Sequence, residues 1–128
     1  MFINKSLSGF HFFLNEQDAQ ELMLAFTTLL DTQKTAEIAL ECAGSAPYRT
    51  LLLSCSGHPE DDDIFMSRLS MELRLSYESI ELAIYKLSLF LVAGSFSTPE
   101  FIACTYKKKT IYLYFMDKCG MSDPASSY

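Results

Sequence analysis

Residues 68–91 leave this chain few ways to fold. The segment opens Arg68-Leu69-Ser70-Met71-Glu72-Leu73-Arg74-Leu75-Ser76, a strict alternation of apolar and polar side chains. That is the period of a strand with one buried face. Without a break the pattern becomes helical, with Ile80, Ala83, Ile84, Leu87 and Leu91 on one stripe. Ser76 can cap this helix, Glu78 suits the positive end of its dipole, and Gly94 can end it, so the helix is expected over 77–93. A strand face and a helix face written back to back need a common core, with the helix folded onto a sheet and Leu69, Met71, Leu73 and Leu75 beneath it.

The remaining segments extend that reading. Residues 1–14 look extended, either as a short hairpin or as one strand with a ragged start. Asn15-Glu16-Gln17-Asp18 is a helix start, followed by Ala19, Leu22, Met23, Phe26, Leu29 and Leu30 at helical spacing and fading by Asp31-Thr32-Gln33-Lys34. Residues 35–43 alternate, with Ala36, Ile38, Leu40 and Cys42 on one face and Glu37, Ala39 and Glu41 on the other. Gly44-Ser45-Ala46-Pro47 is a turn. Strands follow at 48–55 and 64–76, joined by the polar loop 56–63. After a break at Ser97-Thr98-Pro99, strands at 100–106 and 110–116 flank Lys107-Lys108-Lys109, a hairpin tip. Residues 120–128 are small and polar and read as a frayed tail. No internal repeat is apparent. The expected fold is a single α+β domain over 1–128: a two-layer sandwich, mainly antiparallel, of about six strands with two helices on one face.

At 128 residues, a domain can bury roughly two thirds of its unfolded surface and needs no metal or disulfide to hold a core. The net charge of −6 speaks against a nucleic-acid binder, which must match phosphates with lysine and arginine, and against an anionic membrane surface. It suits a basic protein partner, toward which long-range attraction speeds encounter. No apolar run approaches the length of a membrane helix, and the N-terminus lacks the pattern of a secretory signal, so a cytoplasmic location is expected. Cys42, Cys55, Cys104 and Cys119 are widely spaced and fit reduced thiols; the first three fall in expected strands.

Candidate chemistry is sparse. Cys55 and His58, with the acids that follow, could form a metal site or a Cys–His pair, but a lone C-x-x-H supplies too few zinc ligands and the acidic run lacks the spacing of a calcium loop. His11 sits between phenylalanines on a strand, sharing a face with Phe13. The chain has no G-x-S-x-G and no phosphate-binding glycine loop. The expectation is a non-enzyme without cofactor or metal. What stands out is the placement of acids: Glu60, Asp61, Asp62 and Asp63 in one loop, and Glu72, Glu78 and Glu81 on the outward sides of the strand and helix of residues 68–91. These seven are the candidate partner-binding residues.

Small size, acidity, an α+β layout and no catalytic set together resemble a bacterial immunity protein of the toxin–immunity type, such as those that neutralise contact-dependent inhibition toxins. The resemblance rests on the whole layout, the early Met1-Phe2-Ile3 strand and the acidic 60–63 loop. It implies a cognate toxin domain, often a basic nuclease, blocked at its active site by a monomer or weak dimer. The chain is also similar in layout to type III secretion chaperones, which run helix, three strands, helix, two strands and helix. Here an N-terminal strand is added and the last helix is missing. That resemblance implies a homodimer, formed partly through the second helix, that holds an effector segment. An enzyme using Cys55 and His58 is the alternative from another class.

Overall fold

A computed structural model of the chain describes residues 1–56, 62–94, 96 and 100–118. The expected loop residues 57–61 with His58, the break at 97–99, Cys119 and the tail 120–128 lie outside the described residues.

Both helices form where the sequence places them. Helix α1 spans Glu16–Thr32, with Asn15 accepting from the Asp18 backbone N–H at 2.7 Å while the Asp18 carboxylate accepts from the Asn15 N–H at 3.0 Å, a reciprocal capping box. Helix α2 spans Tyr77–Ala93, capped by Ser76 and ended by Gly94 at φ +81°. Each buries one stripe: Ala19, Leu22, Phe26 and Leu29 on α1, and Ile80, Ala83, Leu87 and Phe90 on α2.

Eight strands accompany them: β1 (Phe2–Lys5), β2 (Gly9–Leu14), β3 (Ala36–Ala39), β4 (Thr50–Cys55), β5 (Asp63–Met66), β6 (Ser70–Leu75), β7 (Glu100–Tyr106) and β8 (Lys109–Asp117). They form one mixed, curled sheet in the order β1-β2-β8-β7-β5-β6-β4-β3. Consecutive strands pair antiparallel in four hairpin-like units, while β2·β8, β4·β6 and β5·β7 are parallel. The fold class is α+β as expected, but the sheet has eight strands, not about six, and three of its neighbour pairs are parallel.

Two differences account for the extra strands. The first 14 residues form the β1–β2 hairpin. The expected strand 64–76 is likewise a hairpin, β5–β6, closed by a bond from the Ser67 N–H to the Ser70 carbonyl at 2.9 Å. Leu69 therefore lies in a turn and is half exposed rather than under the helix, whereas Met71, Leu73 and Leu75 are buried as expected. Cys42 also leaves its expected strand, because β3 ends at Ala39 and the thiol is exposed.

Contrary to the sequence reading, the chain contains an internal repeat. β1, β2 and α1 recur as β5, β6 and α2 at a constant spacing of 61 positions. Buried residues correspond pair by pair at that spacing: Ile3 with Ile64, Phe10 with Met71, Phe12 with Leu73, Leu14 with Leu75, and each residue of one helix stripe with its counterpart on the other. The hairpin bond from Ser6 N–H to Gly9 carbonyl repeats as Ser67 to Ser70. The caps repeat as Asn15 and Ser76, and the left-handed ends as Gln33 and Gly94. The β3–β4 pair corresponds to β7–β8. The halves are interleaved, since β2 neighbours β8 and β6 neighbours β4.

This pseudo-twofold also relates two seams. At one, the Glu41 N–H donates to the Met1 carbonyl at 2.9 Å and the Ala46 N–H to the Ile3 carbonyl at 3.3 Å, so the segment after β3 lies along β1. At the other, the Thr105 N–H donates to the Asp62 carbonyl at 2.7 Å, joining β7 to β5. The first seam is further held by an ion cluster. The terminal ammonium of Met1 meets Asp18 and Glu41, and Lys118 meets the same two carboxylates. Burial pushes the Asp18 carboxyl up, but the Asn15 backbone bond and the two cations outweigh it and hold the group below its ordinary range.

Candidate protein-binding surface

Of the seven acidic candidates, the five described ones do not form one cluster. Glu60 and Asp61 lie outside the described residues. Asp62 is turned inward to the fold: its carboxylate accepts from the Ser76 N–H at 2.7 Å and from the Ser79 hydroxyl at 2.6 Å, at the start of α2. It therefore supplements the Ser76 cap and places negative charge at the positive end of the helix. Asp63 is half-buried in β5. Glu72, on the outward face of β6, accepts from the Ser54 hydroxyl at 2.7 Å and pairs with Arg74 at 3.3 Å. Only Glu78 and Glu81 stand exposed together, on α2.

Asp62→Ala should lower the unfolding free energy by about 1–2 kcal/mol, the usual cost of losing a capping acceptor and leaving its donors short of a partner. Glu78→Gln and Glu81→Gln should each stay within about 0.5 kcal/mol, as solvated surface positions do. Urea unfolding of the three variants separates a structural acid from two available ones.

Beside Glu78 and Glu81 runs a feature the sequence reading passed over. Leu82, Tyr85, Leu89 and Val92 are 43%, 59%, 48% and 88% exposed. At 100° per residue they lie in one line with Glu78, opposite the buried stripe of Ile80, Ala83, Leu87 and Phe90. The signal was present as a second apolar spacing. It was masked because the buried stripe already accounted for a helix.

The repeat supplies an internal control. The counterparts of Leu82, Tyr85, Leu89 and Val92 on α1 are Glu21, Leu24, Thr28 and Asp31, all exposed and mostly polar. Two helices with the same length, caps and buried stripe thus differ on their outward line. α1 is amphipathic as a surface helix should be, whereas α2 is apolar on both sides, a composition that belongs to a covered helix. The apolar line is rimmed by Glu78 and Glu81 at its N-terminal end, the anatomy of an interface core with a charged margin.

The described residues considered for chemistry, His11, Cys55 and Cys104, lie on three different strands. Cys55 is half-buried and its thiol donates to the Ser56 carbonyl at 3.6 Å, while His58 lies outside the described residues. Burial, with Asp62 and Asp63 adding to it, pushes the Cys104 thiol up to about 12, so it stays protonated. His11 stacks on Tyr114 with ring centroids 4.6 Å apart, on the outward face it was expected to share with Phe13. Among the described residues no three His, Cys, Asp or Glu side chains converge as a metal site, and no helix is long and apolar enough to cross a membrane.

No family model matches the chain, and no curated protein sequence matches it.

Proposed function

We propose that the chain is a binding protein that neutralises a cognate toxin domain, and that the outward line of α2 carries the contact. The observation that supports this reading is the difference between the two repeats: Leu82, Tyr85, Leu89 and Val92 stand exposed where α1 presents Glu21, Leu24, Thr28 and Asp31. An aromatic and three aliphatic side chains on a rigid helix are the material of a hot spot. Glu78, Glu81 and the net charge of −6 favour a basic partner, whose encounter they would speed. A rigid acidic body seated on a basic active site blocks it without chemistry of its own.

The test uses the toxin domain that this reading expects in a neighbouring reading frame. Leu82→Asp with Leu89→Asp should weaken its binding by on the order of 100-fold or more, since each removes a central apolar anchor. Fold stability should change little, because both positions are exposed and Asp costs only about half a kcal/mol in a helix interior. Calorimetric titration and rescue of toxin-expressing cells give the two readouts. Binding and rescue equal to wild type would end this reading.

A second reading, a type III secretion chaperone, is favoured by the same apolar line, because that resemblance places part of a dimer contact on the second helix. It requires a homodimer. Light scattering that finds a monomer at micromolar concentration, unaffected by Leu89→Asp, removes it.

A further inference from the structure

The repeat makes the two seams of the sheet directly comparable, and they are not filled alike. β1 offers the backbone groups of Met1, Ile3 and Lys5 on its side away from β2. All three are used: the Met1 carbonyl by Glu41, the Ile3 carbonyl by Ala46, and the Lys5 N–H by the Ser45 hydroxyl at 2.7 Å. The occupant is the chain's own segment Gly44-Ser45-Ala46, and its fit is close. A Cβ on Gly44 would stand 1.8 Å from the Ile3 carbonyl oxygen. The Asn4 side chain adds a bond to the Ser45 N–H at 2.8 Å.

The counterparts of Met1, Ile3 and Lys5 on β5 are Asp62, Ile64 and Met66. Asp62 is used by Thr105, the counterpart of Glu41. Beyond it β5 pairs with β7 only at Asp63–Thr105, a parallel bridge in which Thr105 bonds both neighbours of Asp63 and so also takes the Ile64 N–H; among the described residues no strand lies beside the Ile64 carbonyl and Met66 on the side away from β6. The cause is the length of the next turn. The connection from Glu41 to Thr50 is two residues longer than the one from Thr105 to Tyr112, and the β7–β8 hairpin turns back at Lys107-Lys108 before it can reach over β5. A cleft of about 580 Å³ opens there, lined by Ile64, Phe65, Met66, Tyr106, Lys107 and Lys108, with Asp63 and Thr105 also on its wall.

The tip of that hairpin is costly. Lys107 and Lys108 both have positive φ, +50° and +65°. Such a tight turn is the place for Asn-Gly, since a side chain in the left-handed region is disfavoured. Two lysines stand there instead and line the cleft. Strain held at a turn together with a pair of like charges points to a ligand of opposite charge.

We propose that this cleft takes an extended acidic segment of a partner protein, which adds as a strand to β5. The segment occupies the place that Gly44-Ser45-Ala46 holds on β1. Its main chain bonds the Ile64 carbonyl and the Met66 N–H and carbonyl, and its carboxylates meet Lys107 and Lys108. This surface is distinct from the outward line of α2 and does not depend on the toxin reading.

The probe is a short synthetic peptide, acetyl-Glu-Val-Thr-Val-Glu-Val-Asp-amide, added to the full isotope-labelled chain. The expected result is saturable binding, with the Ile64 and Met66 resonances shifting and exchange of the Met66 amide slowing at least tenfold. A peptide of the same sequence with alternate backbone nitrogens methylated should bind at least tenfold more weakly. Lys107→Asn with Lys108→Gly should raise the folding midpoint, by relieving the turn, while weakening the peptide at least tenfold. The variant thus removes the charges without risk to the fold. The proposal is overturned if the peptide does not bind, if the shifts fall elsewhere, if methylation or the lysine double variant leaves affinity unchanged, or if the Met66 amide is already protected by self-association of the chain.

Discussion

Residues 62–128 expressed alone will not give a folded monomer. The segment contains a complete repeat, β5, β6, α2, β7 and β8, which on sequence order alone could pass for an independent unit. The sheet forbids it. Within the segment the β5–β6 and β7–β8 pairs touch through one pairing, Asp63–Thr105, whereas the continuous ladders of β6 and β8 run to β4 and β2 in the other half. Removing residues 1–61 strips both of those strands and also α1, whose Ala19, Leu22, Phe26 and Leu29 share the core with the stripe of α2. Burying a Leu or Phe side chain contributes roughly 1.5–3 kcal/mol. The loss of α1 and β2 alone therefore exceeds the whole stability of a domain this size, about 5–15 kcal/mol. The fragment should show no cooperative melt by circular dichroism, and mixing it with residues 1–61 should restore one. A monomeric fragment that melts cooperatively would mean that the halves are not interdependent.

Self-pairing of the fragment is also disfavoured by the core. Each helix stripe holds one alanine, at different turns: Ala19 answers to Ile80, and Ala83 to Leu22. Two copies of α2 would bring two isoleucines and two alanines to equivalent places, overfilling one layer and leaving a void in the next. The repeat has therefore diverged into complementary halves.

That divergence explains what could and could not be read in the sequence. Helix positions and caps were legible because Asn15, Ser76 and Gly94 carry end signals and the apolar period is unambiguous. The repeat was not, because over residues 1–33 and 62–94 the two copies share only Ile3/Ile64, Ser6/Ser67, Leu14/Leu75 and Leu30/Leu91. What repeats is burial, and burial tolerates exchange among Phe, Met, Leu and Ile. The turn at Leu7-Ser8 was legible only as a choice between a hairpin and one ragged strand, and the turn at Arg68-Leu69 was invisible, for a different reason. Neither requires positive φ, so no glycine or asparagine marks them, and the alternation of Leu69, Met71 and Leu73 runs through the second without a change of parity. Parallel pairing of β4 with β6 was hidden because the partner arrives from the other repeat. Of the candidate surface, Glu78 and Glu81 were legible from helical phase. Asp62 was not, since an acid fourteen residues before Ser76 gives no hint that it will cap the same helix.

Gly9→Val should be the most damaging single substitution outside the aliphatic core, costing about 3 kcal/mol or more. Gly9 opens β2 opposite Tyr112 of β8, and the Tyr112 N–H donates to the Ser8 carbonyl at 3.0 Å. A Cβ at Gly9 would lie 1.8 Å from the Tyr112 carbonyl oxygen and 2.8 Å from its carbon and nitrogen, all backbone atoms. No rotamer change relieves such a contact, so β2 and β8 must part at the ladder that joins the two repeats. The counterpart position shows what parting requires. Ser70 carries a Cβ there, and the preceding carbonyl, of Leu69, is shared between the Arg49 and Thr50 N–H groups at 2.8 and 3.3 Å. The β4–β6 junction is thus built with a looser approach, which the β2–β8 junction lacks. Gly94→Ala serves as the comparison. That glycine needs its left-handed φ, but nothing lies within 4 Å of a Cβ, so the cost should be about 1 kcal/mol. Denaturant unfolding of both variants decides the matter. Equal losses would show that close approach does not set the requirement at Gly9, where φ is not positive, and that the β2–β8 ladder can yield as the β4–β6 ladder has.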